Sequence, residues 1–162
     1  VLIEVANRLK SLGFKLIFRL TFDESTGEKE AQFCANVKQQ DIGDYFEFTG
    51  RLTRDELLKA IRSATGFIMP TLIETYGLPY LEAQLLGKPM FTSDRDFARE
   101  LCGDSAFYFD PLDAESISQV LLDNIHKHEL LEEKLTISNS MFEKKISWSE
   151  SVKLINQLTL NV

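Results

Sequence analysis

Apolar residues recur at helical spacing from the start of the chain. Leu2, Val5, Ala6, Leu9 and Leu12 share one face, and Gly13 ends the run. Residues 14–22 are apolar almost throughout, which predicts a buried strand, with Arg19 read as a solvent-facing side chain at its edge. A polar loop over residues 23–27 leads to a helix over 28–40 that turns Ala31, Phe33, Cys34 and Val37 inward. A strand over 45–49 follows the turn at 41–44. Thr53 and Glu56 then form a capping box ahead of a helix whose buried stripe is Leu57, Leu58 and Ile61. Strands are predicted over 66–69, 88–92 and 106–109. Helices are predicted from a Ser93 or Asp94 cap through 101, over 113–126 and over 128–142, and a last one carries Val152, Ile155 and Leu158. Strands and helices alternate with short connections. The fold class is therefore α/β, a Rossmann-like parallel sheet with helices on both faces.

Residues 74–89, ETYGLPYLEAQLLGKP, stand out from this alternation. Pro79 suits the first position of a helix, where a missing N–H costs nothing, and Gly87 with Pro89 stops it. On a helical projection Leu78, Leu81, Leu85 and Leu86 fall on one side, and Glu82 lies among them in the first turn. A carboxylate on an apolar face needs a partner. The pattern leaves two readings open: Glu82 complements the helix dipole, or it faces a ligand.

Composition narrows the classes. The chain has 162 residues, 44% hydrophobic and 27% charged, with a formal net charge of −7. That is enough for one domain with a core, and it carries no general electrostatic footprint for nucleic acid. No apolar run approaches the roughly 20 residues of a membrane span. Cys34 and Cys102 form no metal or redox motif and are read as buried thiols. His126 and His128 are read as a solvated helix end, and Arg95 and Arg99 as lining a cleft or charging a surface helix. The chain does not start with Met, and a helical pattern already runs at residue 1. We therefore read it as a piece of a longer protein whose first strand is missing, with an engineered or processed start as the alternative.

The run Glu74-x-x-Gly77-Leu78-Pro79-x-x-Glu82-Ala83, followed by Gly87-x-Pro89, resembles the signature of retaining GT-B glycosyltransferases. Among these it is most similar to the nucleotide-sugar-dependent enzymes that build glycans, lipopolysaccharide and capsule. Residues 48–52, 93–111 and 147–149 resemble further blocks of that family. The resemblance implies a single C-terminal donor-binding domain over residues 1–162, one GT-B half of a two-domain enzyme. It implies that Glu74 acts at the sugar as the catalytic carboxylate, and that Glu82 holds the ribose hydroxyls. The backbone around Gly77 and Leu78 would cradle the diphosphate, Thr75 and Tyr76 would belong to the donor-binding set, and Arg51 with Leu52 would flank the base. Thr75 stands where the family often has Gly, and the donor sugar is left open.

The implied substrate is a nucleotide-diphosphate sugar, with no cofactor and no metal. The implied partners are a missing N-terminal acceptor domain and a glycan or lipid-linked acceptor. The implied location is cytoplasmic, with contact to the inner face of a membrane made through the missing domain. A basic pair that neutralises the leaving diphosphate has no match here, so this piece alone is expected to bind donor and to catalyse poorly or not at all. The alternatives are a non-catalytic nucleotide-binding or regulatory module on the same fold, and a dehydrogenase-like domain. A Gly-x-Gly-x-x-Gly turn, which the latter requires, is absent from the sequence.

Overall fold

In a computed structural model, which describes residues 1–143, the alternation is realised as five short parallel strands interleaved with helices. The order is α1 (Leu2–Ser11), β1 (Phe18–Leu20), α2 (Glu28–Gln39), β2 (Phe46–Phe48), α3 (Arg54–Ser63), β3 (Phe67–Met69) and α4 (Leu78–Leu85). It continues with β4 (Met90–Ser93), α5 (Asp96–Cys102), β5 (Ala106–Phe109), α6 (Ala114–Asn124) and α7 (His128–Glu143). The expected Trp148 motif and last helix lie outside the described residues.

Each start signal does local physical work. Thr53 accepts from the Glu56 N–H, and the Glu56 carboxylate accepts from the Thr53 N–H at 2.8 Å, so the predicted capping box is present. Asp113 accepts from Glu115 N–H at 2.8 Å and starts α6. The expected cap of α5 is corrected: Arg95 holds the cap position without a side-chain bond, because the Asp94 carboxylate is taken by Arg99 at 2.7 and 2.9 Å.

The single expected sheet is also corrected. β1 pairs with β2, and β3, β4 and β5 form a separate three-stranded sheet, all parallel. The strand expected over 14–22 shrinks to three residues. Its ladder ends where Thr49 N–H donates to Leu20 C=O and Gly50 turns away at φ +67°. Arg19 is exposed, as expected, but it is not idle. It pairs with Glu47 at 2.9 Å and donates to Ser63 Oγ at 2.8 Å, joining β1, β2 and α3.

The larger core gathers Val5, Leu9, Phe18, Val37, Phe46, Phe91, Phe109 and Ile117 between the strands and α1, α2 and α6. A smaller core under α4 and α5 holds Tyr80, Ala83, Met90, Ala98, Cys102 and Ala106. Both cysteines are buried, as expected, and burial pushes the Cys34 thiol up. No helix among the described residues is long and apolar enough to cross a membrane.

Candidate active site

The loop that leaves β3 is gripped where it starts. Met69 C=O accepts from Thr92 Oγ1 at 3.3 Å and from Ser93 Oγ at 3.2 Å, both on β4. Thr92 Oγ1 also meets the Tyr80 hydroxyl at 2.7 Å inside the smaller core. One buried hydroxyl pair thus fixes β3, β4 and α4 together. Burial pushes the Tyr80 phenol up to about 12. At the far end of the loop Gly77 is buried at φ +75°, and a Cβ there would run into Leu101 Cδ1. The turn into α4 therefore requires glycine.

Glu74 sits half-buried inside this loop. Its Oε1 accepts from Thr75 N–H at 2.8 Å and from Tyr76 N–H at 3.3 Å. The N–H groups of Thr75, Gly77 and Tyr76 hold its carboxyl below the usual carboxylate range. The loop is thus already an anion cradle, and in this structure its anion is Glu74. Around the cradle Leu72, Ile73 and Tyr76 point outward.

Glu82 is buried, as expected, but for another reason. Leu78 and Leu85 are 53% and 65% exposed, and the buried side of α4 is Tyr80, Ala83 and Gln84. The apolar face read from periodicity is therefore corrected: Leu78 and Leu85 face out, Leu81 and Leu86 are half-buried, and the Tyr80–Thr92 bond holds the helix in this orientation. Glu82 is the fifth residue of the helix, beyond the first turn, and Pro79 is its second. The partner of Glu82 is Arg54, whose Nη1 reaches Oε1 at 2.7 Å while its own side chain stays 68% exposed.

Sequence reading missed Arg54. A signal was present: Arg54 opens α3, where the dipole disfavours a cation. An Arg at that position calls for an anion from elsewhere in the fold.

The Arg54–Glu82 pair ties the start of α3 to α4. Arg51 is exposed and Leu52 half-buried beside it in sequence. Thr75 is exposed on the loop. Arg99 closes on Asp94 and stacks 3.9 Å from the Tyr108 ring centre, and Arg95 lies 3.7 Å from Asp110. These two arginines brace the exits of β4 and β5. His126 packs its ring 5.4 Å from that of Phe14. Among the described residues no three His, Cys, Asp or Glu side chains converge in a way that would hold a metal.

Residues 1–137 match the model of the family described as glycosyl transferases group 1. The chain belongs to that family. Within it, the chain is 28% identical over 104 residues to the O-antigen chain mannosyltransferase B of Escherichia coli, covering 64% of this chain and 27% of that protein. It is 33% identical over 111 residues to the serotype-specific mannosyltransferase WbdA of Escherichia coli, covering 66% of this chain and 13% of that one. The chain thus spans about a quarter or less of these relatives. Among solved structures, sucrose-phosphate synthase from Thermosynechococcus elongatus superposes with a TM-score of 0.78 at 16% identity, over 99% of this chain and 43% of that one. WaaG, a glycosyltransferase involved in lipopolysaccharide biosynthesis, superposes at 0.70 and 18% identity, over 94% and 40%. These likenesses establish the GT-B, Rossmann-like fold of this group 1 glycosyltransferase.

Proposed function

We propose that this glycosyltransferase chain is the C-terminal, donor-binding domain of a retaining enzyme. The enzyme transfers a hexose from a nucleotide sugar to a glycan or lipid-linked acceptor in polysaccharide synthesis, on the cytoplasmic side. The observation that carries this reading is the Arg54–Glu82 pair. It ties Arg54, which lies two positions after Leu52 in the expected base-flanking segment, to the carboxylate expected to hold the ribose, and this supports a path of base, ribose and diphosphate along the rim. In this reading Arg54 is a positioning residue that fixes the Glu82 carboxylate, leaving Oε2 to accept from ribose.

The diphosphate takes the loop N–H groups of Thr75, Tyr76 and Gly77 and the start of α4, where the dipole favours an anion. Glu74 now occupies those donors, so donor entry exchanges one anion for another and turns the Glu74 carboxylate out toward the sugar. Fixed N–H dipoles then stabilise the charge that grows on the leaving diphosphate. No metal is needed for this. The acceptor domain of the same polypeptide closes over the rim that carries Leu72, Ile73 and Tyr76. Without it the chain binds donor and turns over poorly or not at all.

Calorimetric titration with UDP, GDP and ADP tests the reading. One nucleotide binds, and Glu82→Ala weakens it by about 1.5–3 kcal/mol, the range for a hydrogen bond to a charged group. Binding that ignores Glu82→Ala removes the ribose role. Absence of binding by all three, in this chain and in its full-length parent, ends the donor-site reading.

A further inference from the structure

The loops that leave β1 and β2 meet at one carboxylate. The two strands run parallel with Leu20 opposite Phe48, so residues 21–27 and 49–53 leave the sheet together at its carboxyl end. Open parallel sheets bind ligands beyond that end. Phe22 anchors the first loop, with its ring 5.6 Å from that of Phe33 and 5.9 Å from that of Phe48. Asp23 follows it directly.

The two oxygens of Asp23 have different surroundings. Oδ1 accepts from Ser25 N–H at 2.8 Å, from Ser25 Oγ at 2.6 Å and from Thr26 Oγ1 at 3.3 Å. Oδ2 receives no donor among the described residues and lies against Gly50, 2.6 Å from where a Cβ would stand. Gly50 is also left-handed, at φ +67°. A side chain at position 50 is thus excluded twice, and the space over it is kept for the carboxylate.

The Ser25 and Thr26 donors hold the Asp23 carboxyl below the usual carboxylate range, so at neutral pH Oδ2 accepts and has no proton to give. The neighbouring Glu24 is engaged elsewhere, with Lys38 of α2 at 3.0 Å. The serine and threonine bonds account for the shape of the loop. They do not account for the bare oxygen, or for its seat on the segment that runs from Gly50 to Arg54 and, through Arg54, to Glu82.

We propose that Asp23 reads the base of the donor and selects guanine. This rests on the donor-site reading above, in which Arg51 and Leu52, next to Gly50, flank the base. Guanine offers a carboxylate two adjacent donors, the ring N1–H and the exocyclic N2 amine. Uracil offers one N–H between two carbonyl oxygens, which a carboxylate repels. Adenine and cytosine each offer one amine beside a ring nitrogen whose lone pair faces the same oxygen. Guanine alone meets Oδ2 without setting acceptor against acceptor, and the other bases are rejected by that repulsion. Asp23 touches the base and not the reacting atoms, so it determines specificity and takes no part in the transfer itself.

Calorimetric titration of the 162-residue chain with nucleoside diphosphates that differ at one group tests the assignment. GDP binds best. IDP, which lacks only the exocyclic amine, binds roughly tenfold more weakly, as expected for one lost hydrogen bond to a charged group. Asp23→Asn keeps an oxygen for the Ser25 and Thr26 donors and puts an amine in place of Oδ2. It weakens GDP by roughly tenfold and strengthens XDP, whose 2-carbonyl replaces the guanine amine, so the order of the two is inverted.

A variant that loses affinity for every nucleotide in the same proportion marks Asp23 as a loop-former and overturns the proposal. Equal affinity for GDP and IDP in the unsubstituted chain overturns it without any variant. Preference for UDP or ADP that is still sensitive to Glu82→Ala overturns the guanine assignment and leaves the donor site standing. A GDP–IDP difference that persists in Glu82→Ala with unchanged affinity supports Asp23 and removes only the ribose role. Absence of any binding, in this chain and in its full-length parent, ends both readings.

Discussion

In the β1–β2 half, side chains meet ring to ring. Phe46 stacks on Phe48 at 6.0 Å, touches Phe18 at 5.7 Å and meets the edge of Phe33 at 5.5 Å, and Phe22 closes the group against Phe33 and Phe48. In the β3–β4–β5 half, buried hydroxyls hold the backbone: Tyr80 on Thr92, and Thr92 and Ser93 on Met69 C=O. Burial of the rings is driven by a non-directional force, with only a modest preference for edge-to-face and offset geometry. Hydroxyl bonds are directional and fix one geometry. Rings also stack in the site half, Phe91 on Phe107 at 5.0 Å, so what sets it apart is the buried hydroxyl bonds added where its loop leaves β3; the half that flanks it is a buttress packed mainly by rings.

The sharpest break comes in the buttress. Phe46→Ala leaves a hole among three rings and costs about 3–5 kcal/mol in urea unfolding, as large-to-small core changes do. Nucleotide affinity of the molecules that remain folded changes little. In the site half, Gly77→Ala forces a left-handed residue at roughly 1–2 kcal/mol and also displaces Leu101. It lowers Tm less than Phe46→Ala but weakens nucleotide binding more.

Tyr80→Phe removes one buried hydrogen bond and costs about 1 kcal/mol at neutral pH. It also changes the alkaline profile. The unfolded phenol ionises near 10 and the buried one near 12, so the unfolded chain loses its proton first and stability falls as pH climbs from about 10 to about 12. The variant lacks that share of the fall, while Tyr108, also raised by burial, keeps its own. Arg54→Ala strips the buried Glu82 carboxylate of its charged partner and costs about 1–3 kcal/mol, even though the guanidinium itself is mostly in water. Its affinity readout is selective: binding of the ribonucleotide weakens more than binding of the 2′-deoxy form, which keeps only one of the two hydroxyls, and Arg54→Lys restores part of the difference. Equal weakening of both forms would remove Arg54 from the ribose-positioning role.

Local signals were legible in the sequence. The Thr53–Glu56 box, the Asp113 cap, the Gly77 turn and the alternation of strands and helices all depend on residues a few positions apart, and the fold realises each of them. What was not legible depends on distant neighbours. The orientation of α4 is held by the bond from Tyr80 to Thr92, twelve positions away, and it departs from the apolar periodicity of four leucines. The Arg54–Glu82 pair spans 28 positions. The division into two sheets follows from which edges find partners, and periodicity along one strand carries no information about that. The Glu pair was found through its resemblance to a family pattern, whereas the local fold of Glu74 onto its own loop N–H groups needed coordinates.

The buried Tyr80–Thr92 bond also divides labour for anyone who wants to alter which sugar is accepted. With α4 fastened to the sheet, variation at residues 80–84 would be spent on keeping the protein soluble. Residues 71–73 with 75 and 76, whose side chains are exposed or only half-buried, form a short stretch that can be randomised as one cassette with Glu74 held fixed. Members of such a library would melt near the parent temperature, and selection could then act on donor choice alone.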